Sequence, residues 1–518
     1  MTRARPTFLS AALLLAGCRD DINPYATPLD LLAPEATRDG LAYVDRAHDE
    51  AIFVLPDGVD LTVRRAPLGD DRSRAAWARA TRDGASLLAL TVPESAKEED
   101  VDEQLVRFAA DGAGEPVTYD VRAPFTSIAL SPDHRRAVLF FGEDGGTEPL
   151  HNANQVSIVD LAGAGAQNVT LNGFGGALRG VEFPGQIVEG EPAPIVIGGV
   201  AHDVVAFLAP SELVLMDMDD PALDQVAVPL GMDVGFAPAR TLLRPGNPLF
   251  VDPALFVQPT LGSEVGMLTL LAESDGSGFT AQISLIPVGQ SVTDLVFHDS
   301  AAVPYLITVD QAAGALVFTD IRTQSGFAVA LGGPGQRVFL RDASDGGATF
   351  RQAVVWANGG ETLATLDLDG IEDSLGRKPR HLKIETGVDS LVRLDNDRAL
   401  IGSGTRLYVV DFSNEQVTPL SSQSPYDPAA SALVGDRLLL GTTGQEWVST
   451  VDLRTLSPES MLLDDVIERF YYLPGPDRIV VTHGDRIGHL TIVDPADPSR
   501  ATSRVHWGFL LQGALDKE

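Results

Sequence analysis

Seven short alternating runs end in an aspartate: VSIVD at Asp160, LVLMD at Asp217, LVFTD at Asp320, LATLD at Asp367, LYVVD at Asp411, VSTVD at Asp452 and LTIVD at Asp494. Equivalent carboxylates could ring a cation. The simpler chemistry is a turn in which each side chain accepts a hydrogen bond from the backbone just beyond its strand, and that is the reading adopted. Hard oxygen ligands also cluster in DLDGIED (Asp367, Asp369, Glu372, Asp373), MDMDD (Asp217, Asp219, Asp220) and ESDGSG (Glu273, Asp275). Their type suits calcium. None has the spacing of a twelve-residue EF-hand loop or of a glycine-rich calcium nonapeptide, and acidic loops are expected at a net charge of −34. Asp367, Asp369 and Asp373 therefore stand as weak metal candidates with calcium as the cation, and no other cofactor is expected.

The remaining reactive side chains form no familiar constellation. Nine histidines include no HExxH, and His483 and His489 flank GDRIG with a spacing that suits a β-hairpin as well as a metal pair. Without CxxCH there is no covalent c-type haem. Ser403 in GSG and Ser263 in GSEVG are not nucleophile elbows. GGPGQ (332–336) is glycine-rich but leads into a strand, where a phosphate loop needs a helix. Trp77, Trp356, Trp447 and Trp507 are isolated, as expected of residues packing between sheets or at strand ends rather than of a sugar-stacking shelf.

The elements that must position these groups are strands. The chain has 518 residues with 50 Gly and 34 Pro, which interrupt it at the short intervals an all-β protein requires. Asp plus Glu number 72 against 38 Lys plus Arg. Such a field repels phosphates, so nucleic acid and anionic lipid headgroups are discounted as partners.

Residues 1–18 read MTRARPTFLSAALLLAGC. Arg3 and Arg5 precede an apolar run, Thr7 to Leu15, too short to span a bilayer as a helix. Cys18 is the only cysteine, so no intrachain disulfide supports the fold. Leu15-Ala16-Gly17-Cys18 resembles the lipobox of bacterial lipoproteins. The resemblance implies removal of residues 1–17, acylation at Cys18, and anchoring at the cell envelope, the outer membrane because Arg19 rather than an aspartate follows the cysteine. Residues 18–36, with three prolines and little periodicity, read as a flexible tether, and 37–518 as the folded domain.

Within that domain the aspartate marks recur. Asp367, Asp411, Asp452 and Asp494 lie 44, 41 and 42 residues apart, and the gap of 103 between Asp217 and Asp320 holds two periods, the missing copy being MLTLLA (267–272). A second mark, Asp-Arg, precedes the second strand at Asp397-Arg398, Asp436-Arg437 and Asp477-Arg478. A four-stranded unit repeating every 40–50 residues predicts β-propeller blades. SPDHRRAVLFF followed by QVSIVDL is similar to the pattern of YVTN-type and WD40-like propellers, which speaks for fold and not for function. Nine complete units and one partial unit, 41–65, can be counted. Because propellers usually have four to eight blades, the expectation is an all-β single propeller of about eight antiparallel four-stranded blades (range 7–10). The functional expectation is a non-catalytic, lipid-anchored module that binds an envelope protein. The alternatives are a hydrolase- or lactonase-like propeller with a central metal, whose ligands on separate blades leave no local motif, and a binder of polysaccharide or a small ligand.

Overall fold

The computed structural model describes residues 29–69, 73–93, 102–142, 152–163, 165–172, 177–188, 191–221, 223–230, 238–246, 252–260, 262–274, 278–300, 303–345, 348–373, 378–404, 406–420, 427, 430–485 and 487–511. Cys18 lies outside them, as do residues 94–101 of the charged stretch ESAKEEDVDEQ (94–104). The described residues form ten four-stranded antiparallel sheets, each an up-and-down blade of the β-propeller class. Blades 1–10 span 35–67, 73–120, 127–170, 180–229, 238–287, 292–330, 337–383, 390–420, 431–462 and 469–507.

The expectation of about eight blades is thus corrected to ten. The unit read as partial is a complete blade. Its first strand, Glu35–Ala36, is two residues long and shows no alternation, and its aspartate, Asp45, closes the second strand rather than the third. Two hairpins, Gln186–Val188 with Glu191–Ala193 and Ile195–Ile197 with Val200–His202, intervene between the first and second strands of blade 4. From the segment read as a tether, Leu32 N donates to Val44 O at 2.9 Å and Arg46 N to Asp30 O at 2.8 Å. Residues 29–36 therefore carry backbone bonds to blade 1.

The burial of each strand follows its place in the blade. Second and third strands read as unbroken apolar runs because both faces are covered, as in Val204–Leu208 and Glu212–Asp217 of blade 4. Val204, Ala206 and Leu208 join one apolar cluster with Leu255, Val257 and Leu268 of blade 5, while Val205 and Phe207 join another with Val138, Phe140 and Ile158 of blade 3. Fourth strands alternate between half-buried and exposed positions, as in Gly165–Thr170.

The chain divides into two compact units, one made of 1–101, 106–116 and 463–518 and the other of 102–105 and 117–462. In the first, Leu41, Tyr43, Ile52 and Val54 of blade 1 share a core with Val480, Leu490 and Ile492 of blade 10. Arg504 pairs with Asp60, and His506 Nε2 lies 2.7 Å from Val59 O. The earliest and latest described strands thus pack together.

The two sequence marks serve the fold. Asp160, Asp217, Asp320, Asp411, Asp452 and Asp494 each accept a hydrogen bond from the backbone N two residues on, at 2.8–3.0 Å. All lie at or just beyond the end of a third strand, as expected of Asx turns. The Asp-Arg mark places an arginine at the start of the second strand, from which it reaches the adjacent blade. Arg398 Nη1 donates to Leu453 O at 3.1 Å and Arg478 Nε to Gly58 O at 3.0 Å; Arg136, at the start of the second strand of blade 3 in the variant Asp133-His134-Arg135-Arg136, likewise bonds Met218 O and Asp219.

Candidate functional site

Asp367, the seventh strand-end aspartate, takes side-chain donors. Its Oδ1 accepts from Gln352 Nε2 at 2.8 Å and from Arg380 Nη2 at 3.0 Å. Asp369 Oδ1 accepts from Arg351 N at 3.2 Å. Asp373 ends the short 3₁₀ turn Ile371–Asp373, and its side chain lies outside the described residues. Among the described residues, no three His, Cys, Asp or Glu side chains converge as metal ligands would. His483 and His489 form the hairpin their spacing allows, with His483 N donating to His489 O at 3.0 Å. The Ser403 hydroxyl is spent on Gly387 O and Thr386.

The feature that stands out in the second unit is the fourth strand of blade 5. Phe279–Pro287, FTAQISLIP, has nine residues and no charge, and its proline is the last residue. The fourth strands of the other blades span four to eight residues, and most carry a charge, a proline or both. Exposed sheet edges are ordinarily blunted in those ways, because unpaired N–H and C=O groups template another strand. Among the described residues no strand pairs with the outer edge of Phe279–Pro287. Ile283 and Leu285 are 37% and 42% exposed there.

The second hairpin of blade 4, Ile195–Ile197 with Val200–His202, packs on blade 5 near the start of this strand. Ile195 and Ile197 bury themselves with Leu268, Leu270 and Phe279 of blade 5, which leaves Val196 and Val200 on the outside. Gly198, at φ 60° and tight against Ala272, makes the turn possible, since a side chain there would collide with that methyl group. His202 pins the hairpin: its Nδ1 lies 2.8 Å from Asp217 Oδ2, both groups are buried, and its ring meets Phe279 edge-on at 5.4 Å. The sequence reading missed this hairpin. Gly198-Gly199 between IVI and VAH was the available signal.

A cavity of about 330 Å³ lies within the first unit, between residues 31–34 and blade 10.

No family model and no curated protein matches the sequence. Among solved structures the chain is similar to dihydro-heme d1 dehydrogenase NirN, at 14% identity over 76% of this chain and 68% of that one, with a TM-score of 0.38. It is also similar to the Dos1 propeller, at 12% identity over 68% and 88% with a TM-score of 0.38, and to AztD of Citrobacter koseri, at 13% over 70% and 87% with a TM-score of 0.31. Overlaps this distant carry no argument about activity; the propeller assignment rests on the ten sheets themselves.

Proposed function

We propose that this chain is a lipid-anchored, non-catalytic binding module of the bacterial cell envelope, held at the outer membrane through Cys18, and that it takes an extended segment of an envelope protein as an added strand on blade 5. The observation that carries the reading is the long, uncharged edge of Phe279–Pro287 with Ile283 and Leu285 exposed. Strand addition draws affinity from backbone hydrogen bonds and selectivity from alternate side chains. The exposed valines of the neighbouring hairpin offer further apolar contact. Anchoring rests on the Leu15-Ala16-Gly17-Cys18 resemblance.

The test is capture from detergent-solubilised envelopes with three baits: wild type, Cys18→Ala, and Ile283→Lys combined with Leu285→Lys. A partner recovered by wild type and lost with the lysine pair, whose circular dichroism stays that of wild type, supports the reading. Equal recovery by the lysine variant refutes strand addition. Cys18→Ala should leave the membrane fraction, and if it stays there the anchoring assignment fails.

A further inference from the structure

We propose that the cavity of the first unit binds an organic cation: a primary ammonium or guanidinium on a short apolar stem. The site is separate from the edge strand, and the inference does not depend on the strand-addition reading.

One wall is apolar, with Leu31, Pro34, Tyr43 and Leu510 lining it. Burial raises the Tyr43 hydroxyl well above its usual range, so it stays neutral. The other wall is rich in acceptors. Glu468 and Asp485 present carboxylates, with Thr482 Oγ1 at 3.4 Å from Glu468 Oε2. Among the described lining residues Arg469 is the one cation, and its side chain hydrogen-bonds Tyr471. The volume lies at the small end of ligand pockets, which suits a group the size of a single basic side chain.

His489 adds the observation that points to a ligand. It lines the cavity, yet its side chain is only 1% exposed. Trp507 stacks on its ring at 3.3 Å and 17°, and His483 lies against it at 4.3 Å. Burial first, and the neighbouring His483 second, lower its pKa, so the imidazole is neutral. Asp465 Oδ2 lies 3.6 Å from Nδ1, too far for a hydrogen bond, and its negative charge favours the tautomer with the proton on Nδ1. Nε2 is then an acceptor, and it is buried with no partner. His483 cannot supply the missing donor, since its own ring nitrogens are engaged by Val466 O at 2.9 Å and Thr491 Oγ1 at 2.8 Å. Buried acceptors in native proteins are normally satisfied. Two carboxylates and an orphaned imidazole nitrogen call for a ligand that donates and carries positive charge. An anion would meet like charge here, on a chain whose net charge is already −34.

A free amine and a lysine side chain of a peptide share this chemistry. Phenethylamine, an end-blocked Gly-Lys-Gly peptide and phenylacetate would each be titrated into the full chain while tryptophan emission is followed. Trp507, 60% exposed and stacked on His489, is the reporter, and Trp507→Phe identifies its share. The expected result is a saturable change with one or both ammonium probes and none with phenylacetate, weakened at least tenfold in Glu468→Gln combined with Asp485→Asn. Both positions are exposed, so the variant should fold, which circular dichroism would check. Tighter binding of the amine or of the peptide names the source. No saturable binding of either ammonium, equal binding of phenylacetate, or unchanged affinity in the double variant overturns the proposal.

Discussion

Arg341 is the most buried cation described, and its removal gives a sharp test of how blades 7 and 8 are joined. Its side chain is 1% exposed. Nη2 reaches Asp397 Oδ1 at 2.6 Å, Nε reaches Asn396 O at 3.1 Å, and Nη1 reaches Gln352 Oε1 at 3.0 Å. The guanidinium also lies 5.4 Å from the Phe412 ring. Substitution by methionine keeps most of the volume and deletes every donor. The Asp397 side chain is 50% exposed and returns to water at little cost. Gln352 is 2% exposed, so its oxygen would be stranded, at about 1–3 kcal/mol. Loss of the contact with Phe412 adds about 0.5–1 kcal/mol. Arg341→Met should therefore destabilise the blade pair by about 2–4 kcal/mol. Trp356 packs into the same apolar cluster as Tyr408 and Phe412, so its emission during urea unfolding reports the right region. The decisive comparison is Arg341→Met with Gln352→Leu. If stranding of the amide is the main cost, the double variant should lose less than the two single changes combined, with a coupling of about 1 kcal/mol or more. Strict additivity, or an Arg341→Met loss below about 0.5 kcal/mol, would refute this account.

Two further perturbations follow from the geometry. Gln324 is exposed and sits at φ 56° in the turn after Asp320. Relief of left-handed strain, about 1–2 kcal/mol, should outweigh the extra unfolded-state freedom of glycine, about 0.4–1 kcal/mol. Gln324→Gly should thus raise the urea midpoint and Gln324→Val lower it; the reverse order would contradict the turn geometry. Asp203 has its carboxyl pushed up to about 6, by burial first, with Asp219, Asp133 and Asp217 adding and Arg136, 3.5 Å away, opposing. An acid whose folded pKa exceeds its unfolded value near 4 is the better proton binder when folded, so its contribution to stability falls as pH rises from about 4 through 6. The side chain is 39% exposed, so solvent screens part of the effect. Asp203→Asn should therefore gain on wild type in melting temperature as pH rises from 4 to 7, and parallel curves would exclude the shift.

The fold was legible because propeller physics writes itself into the chain repeatedly. Each third strand is buried on both faces and must turn sharply afterwards, so an apolar run ending in an aspartate recurs about every 42 residues from Asp367 to Asp494. The same logic located Glu264–Ala272, the third strand of blade 5, although its aspartate is missing. Blade 1 escaped recognition as a complete unit because its two-residue first strand has no period to read. The Asp-Arg mark was visible, but its purpose was not: Arg398 bonds Leu453 O, 55 residues away, and only the stacked blades bring that carbonyl within reach.

Sites follow a different rule. The cavity of the first unit draws Leu31 and Pro34 from one end of the chain and Glu468, Asp485 and His489 from the other, so no window of sequence contains it. Its residues occur once, whereas the structural residues repeat, and periodicity therefore hides what it does not explain. His489 shows this most clearly. In sequence it is half of an ambiguous pair; in the structure its partner His483 is fully bonded, while its own Nε2 remains buried and unmatched. The edge of blade 5 is singular in the same way, being recognisable only against the shorter, mostly charged or proline-bearing fourth strands of the other blades. In a repeat protein the informative positions are the departures from the repeat, and both binding sites proposed for this chain were found at such departures.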